Sequence, residues 1–238
     1  MRTSDPKRKK KILFIIVGGF VAITTWQAIF YKFFPVIVTP VMVINQIEHP
    51  TELTFKRWVP LSQISSNMVL AVLSSEDNRF FQHCGFDFKA IRLAASFNDR
   101  KNGRKVRGGS TISQQTAKNV FLVHNRSYLR KAIEVYYTIM IERIWGKERI
   151  MEVYLNVVEV GKSVYGVEAG ARRHFHTTAA KLSRGQAARL AAVLPAPRRF
   201  DASHPSSYVR RRQYTIQSLM YKMPTPPMYV HKRTAKRK

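Results

Sequence analysis

The chain has 238 residues, 45% of them apolar, and carries 41 Lys and Arg against 14 Asp and Glu, a formal charge of +27. That apolar share allows one domain with a proper core and a tail or two, while the one cysteine, Cys84, excludes an internal disulfide and any Cys-rich zinc site. The charge is partly terminal, yet residues 12–221 alone keep 29 basic against 13 acidic side chains. Such a surface suits polyanions: phosphates, nucleic acid or anionic lipid.

Residues 1–11 form a basic head. From Ile12 to Phe34 run 23 residues interrupted only by Lys32 and a few small polar side chains. As a helix this run is roughly 34 Å long, enough for a hydrocarbon core of roughly 30 Å. Trp26, Tyr31 and Lys32 suit an interfacial belt at its far end, and Lys7-Arg8-Lys9-Lys10-Lys11 on the near side places the N-terminus in the cytoplasm. With no small-x-small cleavage site after it, the run is expected to remain as the anchor of one exported domain. Residues 35–60 are rich in β-branched side chains, so a linker or short strands are expected rather than helix.

Beyond Pro60 the apolar spacing is helical nearly to the end. Leu61–Ser75 carries Ile64, Met68, Ala71 and Val72 on one stripe, and Phe88–Asn98 forms a second helix that stops in a basic loop reaching Lys105. Gly108-Gly109-Ser110-Thr111 opens a helix to about Phe121, capped by Thr111 with Gln114 in a capping box, or by Ser110. Two glycines before a helix start let the backbone approach a ligand with unpaired N–H groups facing out, an anion-binding arrangement that is also ordinary turn chemistry.

Ser127 caps a helix to about Trp145 with Ile133, Tyr137, Met140, Ile141 and Ile144 as its stripe. Glu134 lies near that stripe, one turn after Arg130 and Lys131; buried acids need partners, so it either pairs structurally or belongs to a cleft. Helices follow over Lys147–Val157, Gly166–Phe175, Ser183 to Leu194 (ended by Pro195 and Pro197) and Ser207–Tyr221. His174 and His176 read as surface histidines. Residues 222–238, rich in Pro, Lys and Arg, are expected to be a disordered tail.

The stretch Ser75-Glu76-Asp77-Asn78-Arg79-Phe80-Phe81-Gln82-His83-Cys84-Gly85 stands apart from this regularity. It brings two acids to the end of a buried helix, where the macrodipole favours cations. Most Glu-Asp pairs are solvated surface, but an acid held against an apolar wall is placed for general acid or base work.

Four blocks occur in order: Glu76-Asp77-x-x-Phe80-x-x-His83-x-Gly85, Gly108-Gly109-Ser110-Thr111-Ile112-Ser113-Gln114-Gln115-x-x-Lys118-Asn119, Arg130-Lys131-x-x-Glu134, and Lys147-x-x-Ile150-x-x-x-Tyr154-Leu155-Asn156. Together they resemble the peptidoglycan glycosyltransferases (transglycosylases) of bacterial cell-wall assembly, over roughly residues 50–215. The likeness is to the monofunctional Gram-negative type, with no room for a penicillin-binding transpeptidase domain. Ser113 stands where Thr is common, Met151 where Leu is common, and Ile133 where some members carry a basic residue.

The resemblance implies a mainly α, lysozyme-like two-lobed helical domain over residues 50–221, after a single transmembrane helix, on the periplasmic face of the inner membrane. It implies that lipid II and a growing glycan strand are the substrates. The 4-hydroxyl of the incoming GlcNAc attacks C1 of the strand's terminal MurNAc, with inversion and release of undecaprenyl diphosphate. Glu76 matches the family's base and Glu134 a second acid on the donor side. Arg79, Ser110, Gln115, Lys118 and Arg126 match diphosphate and donor contacts, and Asp77, His83, Gly108, Gly109 and Asn156 the structural part of the motifs. No cofactor is obligatory, although a divalent cation (Mg2+ or Mn2+) at the diphosphate fits the chemistry. Other cell-wall synthesis or division proteins are further partners, and nucleic acid is not one. Phe80, Phe81, Phe86 and Phe88 either graze lipid or fill the core. The rival readings are a lytic transglycosylase or hydrolase, which has no use for a cationic diphosphate site, and a tethered basic binding module for nucleic acid.

Overall fold

A computed structural model describes residues 6–100, 108–123 and 127–229, and most of them are helical. The basic loop after Arg100, Arg126 and the end of the basic tail lie outside the described residues.

Helix α1 (Pro6–Phe33) joins the end of the basic head and the apolar run in one helix of 28 residues. It is long and apolar enough to cross a membrane. Ile12, Leu13, Phe14, Ile15 and Ile16 are exposed, whereas Thr24 and Ala28 are buried against the rest of the chain. The buried part rests on α6 (Tyr128–Ile144) and the start of α7 (Gly146–Val157). The Thr24 hydroxyl lies 2.8 Å from the Tyr136 hydroxyl, the Trp145 indole N–H donates to the Ala28 carbonyl at 2.7 Å, and Arg149 donates to the Tyr31 carbonyl at 2.7 Å.

Residues 35–60 depart from the expected linker. Helix α2 (Pro40–Glu48) forms there, because Thr39 caps the Met42 N–H and Pro40 supplies the fixed φ of a first helical residue. β-branching was outweighed by tertiary contact: Met42 and Asn45 are buried, and α2 packs on α5 (Ile112–Phe121). A short strand, β1 (Phe55–Lys56), runs parallel to β3 (Val164–Tyr165), which pairs antiparallel with β2 (Glu159–Gly161) on its other side.

The first helix beyond Pro60 breaks in two. A 3-10 turn over Leu61–Gln63 precedes α3 (Ser66–Glu76), whose N-cap Ser65 accepts from the Asn67 N–H. The α3 helix packs with α9 (Arg184–Val193) and α10 (Ser207–Lys222). Alanines at 187, 188, 191 and 192, all fully buried, let α9 come close to both neighbours. A second group joins α5, α6 and α7 through Ile112, Ala117, Ile141, Ile150 and Tyr154. Helix α4 (Phe88–Arg100) lies beside Gly109 at the approach to α5, and α8 (Val167–Phe175) lies by the small sheet. Phe80 is wholly buried while Phe88 is 66% exposed, so the four phenylalanines divide between core and surface. His174 is not a surface residue: its imidazole meets Ser203 at 2.9 Å, and its side chain is 8% exposed.

Asn156 staples the second helical group to the segment before α3. It is fully buried; its Oδ1 accepts from the Val59 N–H at 2.9 Å, and its Nδ2 donates to the carbonyls of Val59 (2.9 Å) and Glu152 (2.8 Å). Just beyond it, Gly166 has φ +82° and a Cβ there would stand 2.7 Å from the Asn156 carbonyl oxygen, so only glycine fits. Asn156→Ala leaves the polar groups of Val59 unpaired in the core. It should destabilise the chain by about 3 kcal/mol, read as a lowered melting temperature of the detergent-solubilised protein.

Candidate active site

The two acids at the end of α3 are separated by what each one meets. Asp77 is the C-cap, 7% exposed, and its Oδ2 accepts the Ile112 N–H, the first of α5, at 3.0 Å. Both its oxygens also lie 3.1 Å from the His83 Nε2. The negative end of α3 thus faces the positive end of α5, and the misplaced charge of the sequence acquires a partner.

This arrangement corrects the expectation that the amides at the start of α5 face an anionic ligand. The Ile112 N–H goes to Asp77, the Gln114 N–H to the Thr111 hydroxyl (3.2 Å), and the Thr111 N–H to the Gln114 side chain (3.1 Å). Thr111, not Ser110, is the N-cap, and its hydroxyl donates to the Gly85 carbonyl at 2.6 Å. Gly109 serves a close approach, since a Cβ there would stand 3.1 Å from the Ile91 Cα, whereas Gly108 meets nothing nearby. Ser110 is exposed on the approach to α5.

Glu76 turns into the space between the two helical groups. Its Oε2 accepts from the Gln115 Nε2 at 3.0 Å, and its Oε1 lies 3.5 Å from the Arg212 Nη2 on α10. The Gln115 Oε1 in turn accepts from the Tyr154 hydroxyl at 3.2 Å. Tyr154 is fully buried, and desolvation with the nearby charges of Glu76 and Asp77 raises its pKa well above the usual phenol value. It therefore stays a donor. Gln115, expected at a diphosphate, is engaged by the acid itself.

Lys118 stands one turn further along α5, half-buried. Burial pushes its ammonium pKa down, while Glu134 and Glu76 pull it back up. Lys118 accordingly sits in the field of both acids. No carboxylate of the described residues is in ion-pair contact with it, so its charge faces the groove. Gln115, Lys118 and Asn119 line a cleft of about 410 Å³ that continues to Tyr165, Arg198 and Arg199.

Glu134 is 3% exposed and doubly paired, with Arg130 at 2.9 Å and Lys131 at 2.5 Å. Removing either cation would leave a buried acid undercompensated. Arg79 turns to Asp87 at 2.9 Å, and its charge is matched there rather than held open. The structure thus brings together Glu76, Gln115 and Lys118, with Glu134 close enough to act on Lys118, and keeps Arg79 apart in its own pair. Arg126 lies outside the described residues.

Sequence reasoning missed Arg212. Its spacing offered a signal: it falls three residues after Val209 and four before Ile216, on the buried stripe of α10, where an arginine needs a reason. No group of three or more His, Cys, Asp or Glu among the described residues is arranged to hold a metal. With both Glu134 oxygens taken by cations, these side chains do not form a divalent-cation site by themselves.

A family model described as Transglycosylase matches residues 42–221. The chain is 50% identical over 212 residues to a protein of Bacteroides thetaiotaomicron named biosynthetic peptidoglycan transglycosylase, covering 87% of this chain and 85% of that one. Proteins of the same name from Caulobacter vibrioides and Escherichia coli O127:H6 are 47% and 46% identical, over 86% and 91% of this chain and 85% and 88% of theirs. The geometry around Asp77 carries a consequence for stability. Asp77→Ala strands the Ile112 N–H and the His83 ring, and should cost about 2–3 kcal/mol, measured as a loss of thermal stability with helix content retained at low temperature.

Proposed function

The chain belongs to the transglycosylase family of peptidoglycan synthesis, and on that premise we propose that it polymerises glycan from lipid II with Glu76 as the base. It is a peptidoglycan glycosyltransferase; the substrate, the residue roles and the membrane topology are the proposed part. The observation that carries the reading is that Gln115 donates to Glu76 and, with Lys118, lines the cleft, while the Glu76 charge acts on the Lys118 ammonium.

The acceptor is the 4-hydroxyl of the GlcNAc of lipid II, and the donor is C1 of the terminal MurNAc of the growing strand. Inversion at that carbon takes one displacement, with a base on the acceptor side and positive charge on the leaving side. Glu76 takes the hydroxyl proton. Lys118 compensates the departing diphosphate, because its ammonium is desolvated and no carboxylate of the described residues is bound to it. Glu134 holds Arg130 and Lys131 in place and acts on the donor side through that cluster and Lys118. Arg126 and Ser110 belong to the same donor side by family resemblance. A divalent cation at the diphosphate would rest on phosphate oxygens, since both oxygens of Glu134 are already paired with cations.

We place α1 across the inner membrane with its basic start in the cytoplasm and the helical domain in the periplasm. The α6 helix, on which α1 rests, exposes Tyr128, Leu129 and Ile139, apolar surface that a bilayer would cover. A lytic enzyme with the same sugars would have no use for a desolvated lysine beside the acid.

The direct test is incubation of the purified full-length protein with lipid II. Glycan polymer should form, and Glu76→Gln should give none while the protein melts as the wild type does, because the amide cannot accept a proton. Lys118→Ala should lower kcat/KM by about a hundredfold without a matching loss of stability. Because burial lowers the Lys118 pKa, its cation is lost at a lower pH than the ordinary lysine value of roughly 10.4. The alkaline limb of kcat/KM should therefore fall early in the wild type and move to higher pH in Lys118→Arg.

A further inference from the structure

We propose that Arg212 is a positioning residue that, with Gln115 and Tyr154, aims one particular oxygen of Glu76, Oε1, at the acceptor hydroxyl. The inference deepens the reading above and rests on Glu76 being the base.

The Tyr154 hydroxyl donates to the Gln115 Oε1 at 3.2 Å, which fixes the amide so that its Nε2 must face Glu76. That Nε2 donates to Oε2 at 3.0 Å, so Oε2 is committed to a neutral donor held by a fully buried tyrosine. Among the described residues Oε1 meets only the Arg212 Nη2, at 3.5 Å, too long for a strong hydrogen bond. The attraction is electrostatic, and it leaves a lone pair of Oε1 open to a hydroxyl. Arginine suits this task because it cannot give up its proton and so cannot compete as an acid or base.

The guanidinium is itself held. Arg212 lies on the buried stripe of α10, its side chain is 28% exposed, and its Nε is shut from solvent without a hydrogen-bond partner. The α10 helix packs on both α9 and α3, the helix that ends in Glu76. Arg212 and Gln115 therefore grip the carboxylate from opposite helical groups and set its plane. In the reaction the hydroxyl proton passes to Oε1 and the hydroxyl oxygen forms the bond to C1. The C1–O bond to the diphosphate breaks, with its electron pair leaving on the diphosphate.

The test uses the full-length protein in detergent with lipid II as substrate. Arg212→Met should lower kcat by about a hundredfold with KM within about twofold and the melting temperature unchanged, and Arg212→Lys should recover part of kcat. In a Glu76→Asp background, where the shortened carboxylate has already withdrawn from both clamps, adding Arg212→Met should cost under about threefold. A kcat within about twofold of wild type in Arg212→Met would overturn the proposal. So would an equal loss from Arg212→Met in both backgrounds, or a loss that tracks a lowered melting temperature in both Met and Lys variants. Normal polymerisation by Glu76→Gln would remove the base assignment itself, whereas an inactive Glu76→Gln beside a normal Arg212→Met removes only the role of Arg212.

Discussion

The site depends on two helix ends meeting head-on. The α3 helix ends in two carboxylates, where its own dipole opposes them, and α5 begins with N–H groups that seek negative charge. Asp77 resolves both needs by accepting the Ile112 N–H while His83 holds its other side. Glu76, one residue earlier, is thereby fixed at the junction without being consumed by it. The same region engages the amides of Thr111, Ile112 and Gln114 within the protein, and a cation lining the cleft appears further along, at Lys118.

Much of this was legible in the chain. Helical spacing located the segments, and the capping boxes at Thr111–Gln114 and Ser183–Gln186 are present as read. Motif order put Glu76, Gln115 and Lys118 in one site, and Gln115 bonds Glu76 one turn before Lys118. What was not legible depends on contacts between distant segments. The β-branched run before Pro60 becomes α2 because Met42 and Asn45 find partners on α5 and at Ser163, which no local propensity encodes. The strands β2 and β3 are three and two residues long, too short to show alternation. Arg212 looked like one of three adjacent arginines, and only the packing of α10 on α3 distinguishes it.

The charge excess also acquires a structure. Acids of the folded part are largely spent on internal pairs: Asp87 with Arg79, Glu134 with Arg130 and Lys131, Glu142 with Lys147, Glu152 with Arg149, Glu168 with Arg172, and Glu52 with Lys162 and Arg198. The exposed members of this set add little stability. Their effect is to leave few acids facing outward, so the remaining lysines and arginines present an almost unopposed positive surface. Glu76 has a longer contact than most of these pairs, with Arg212 at 3.5 Å.

Helix α6 meets α1 on one side and carries charges that act on Lys118 on another. On α6, Tyr136 touches Thr24 of α1, while Glu134, two residues earlier and so turned to a different face, bears the cations beside Lys118. If α1 crosses the bilayer, α6 would lie against the membrane on one side and near the proposed diphosphate site on the other. A lipid-linked diphosphate sits at headgroup depth by its own chemistry, since its tail is apolar and its phosphates are not. On the proposed function, docking α1 on α6 would bring the groove to the level where that diphosphate emerges, so the substrate would not need to leave the membrane to be used.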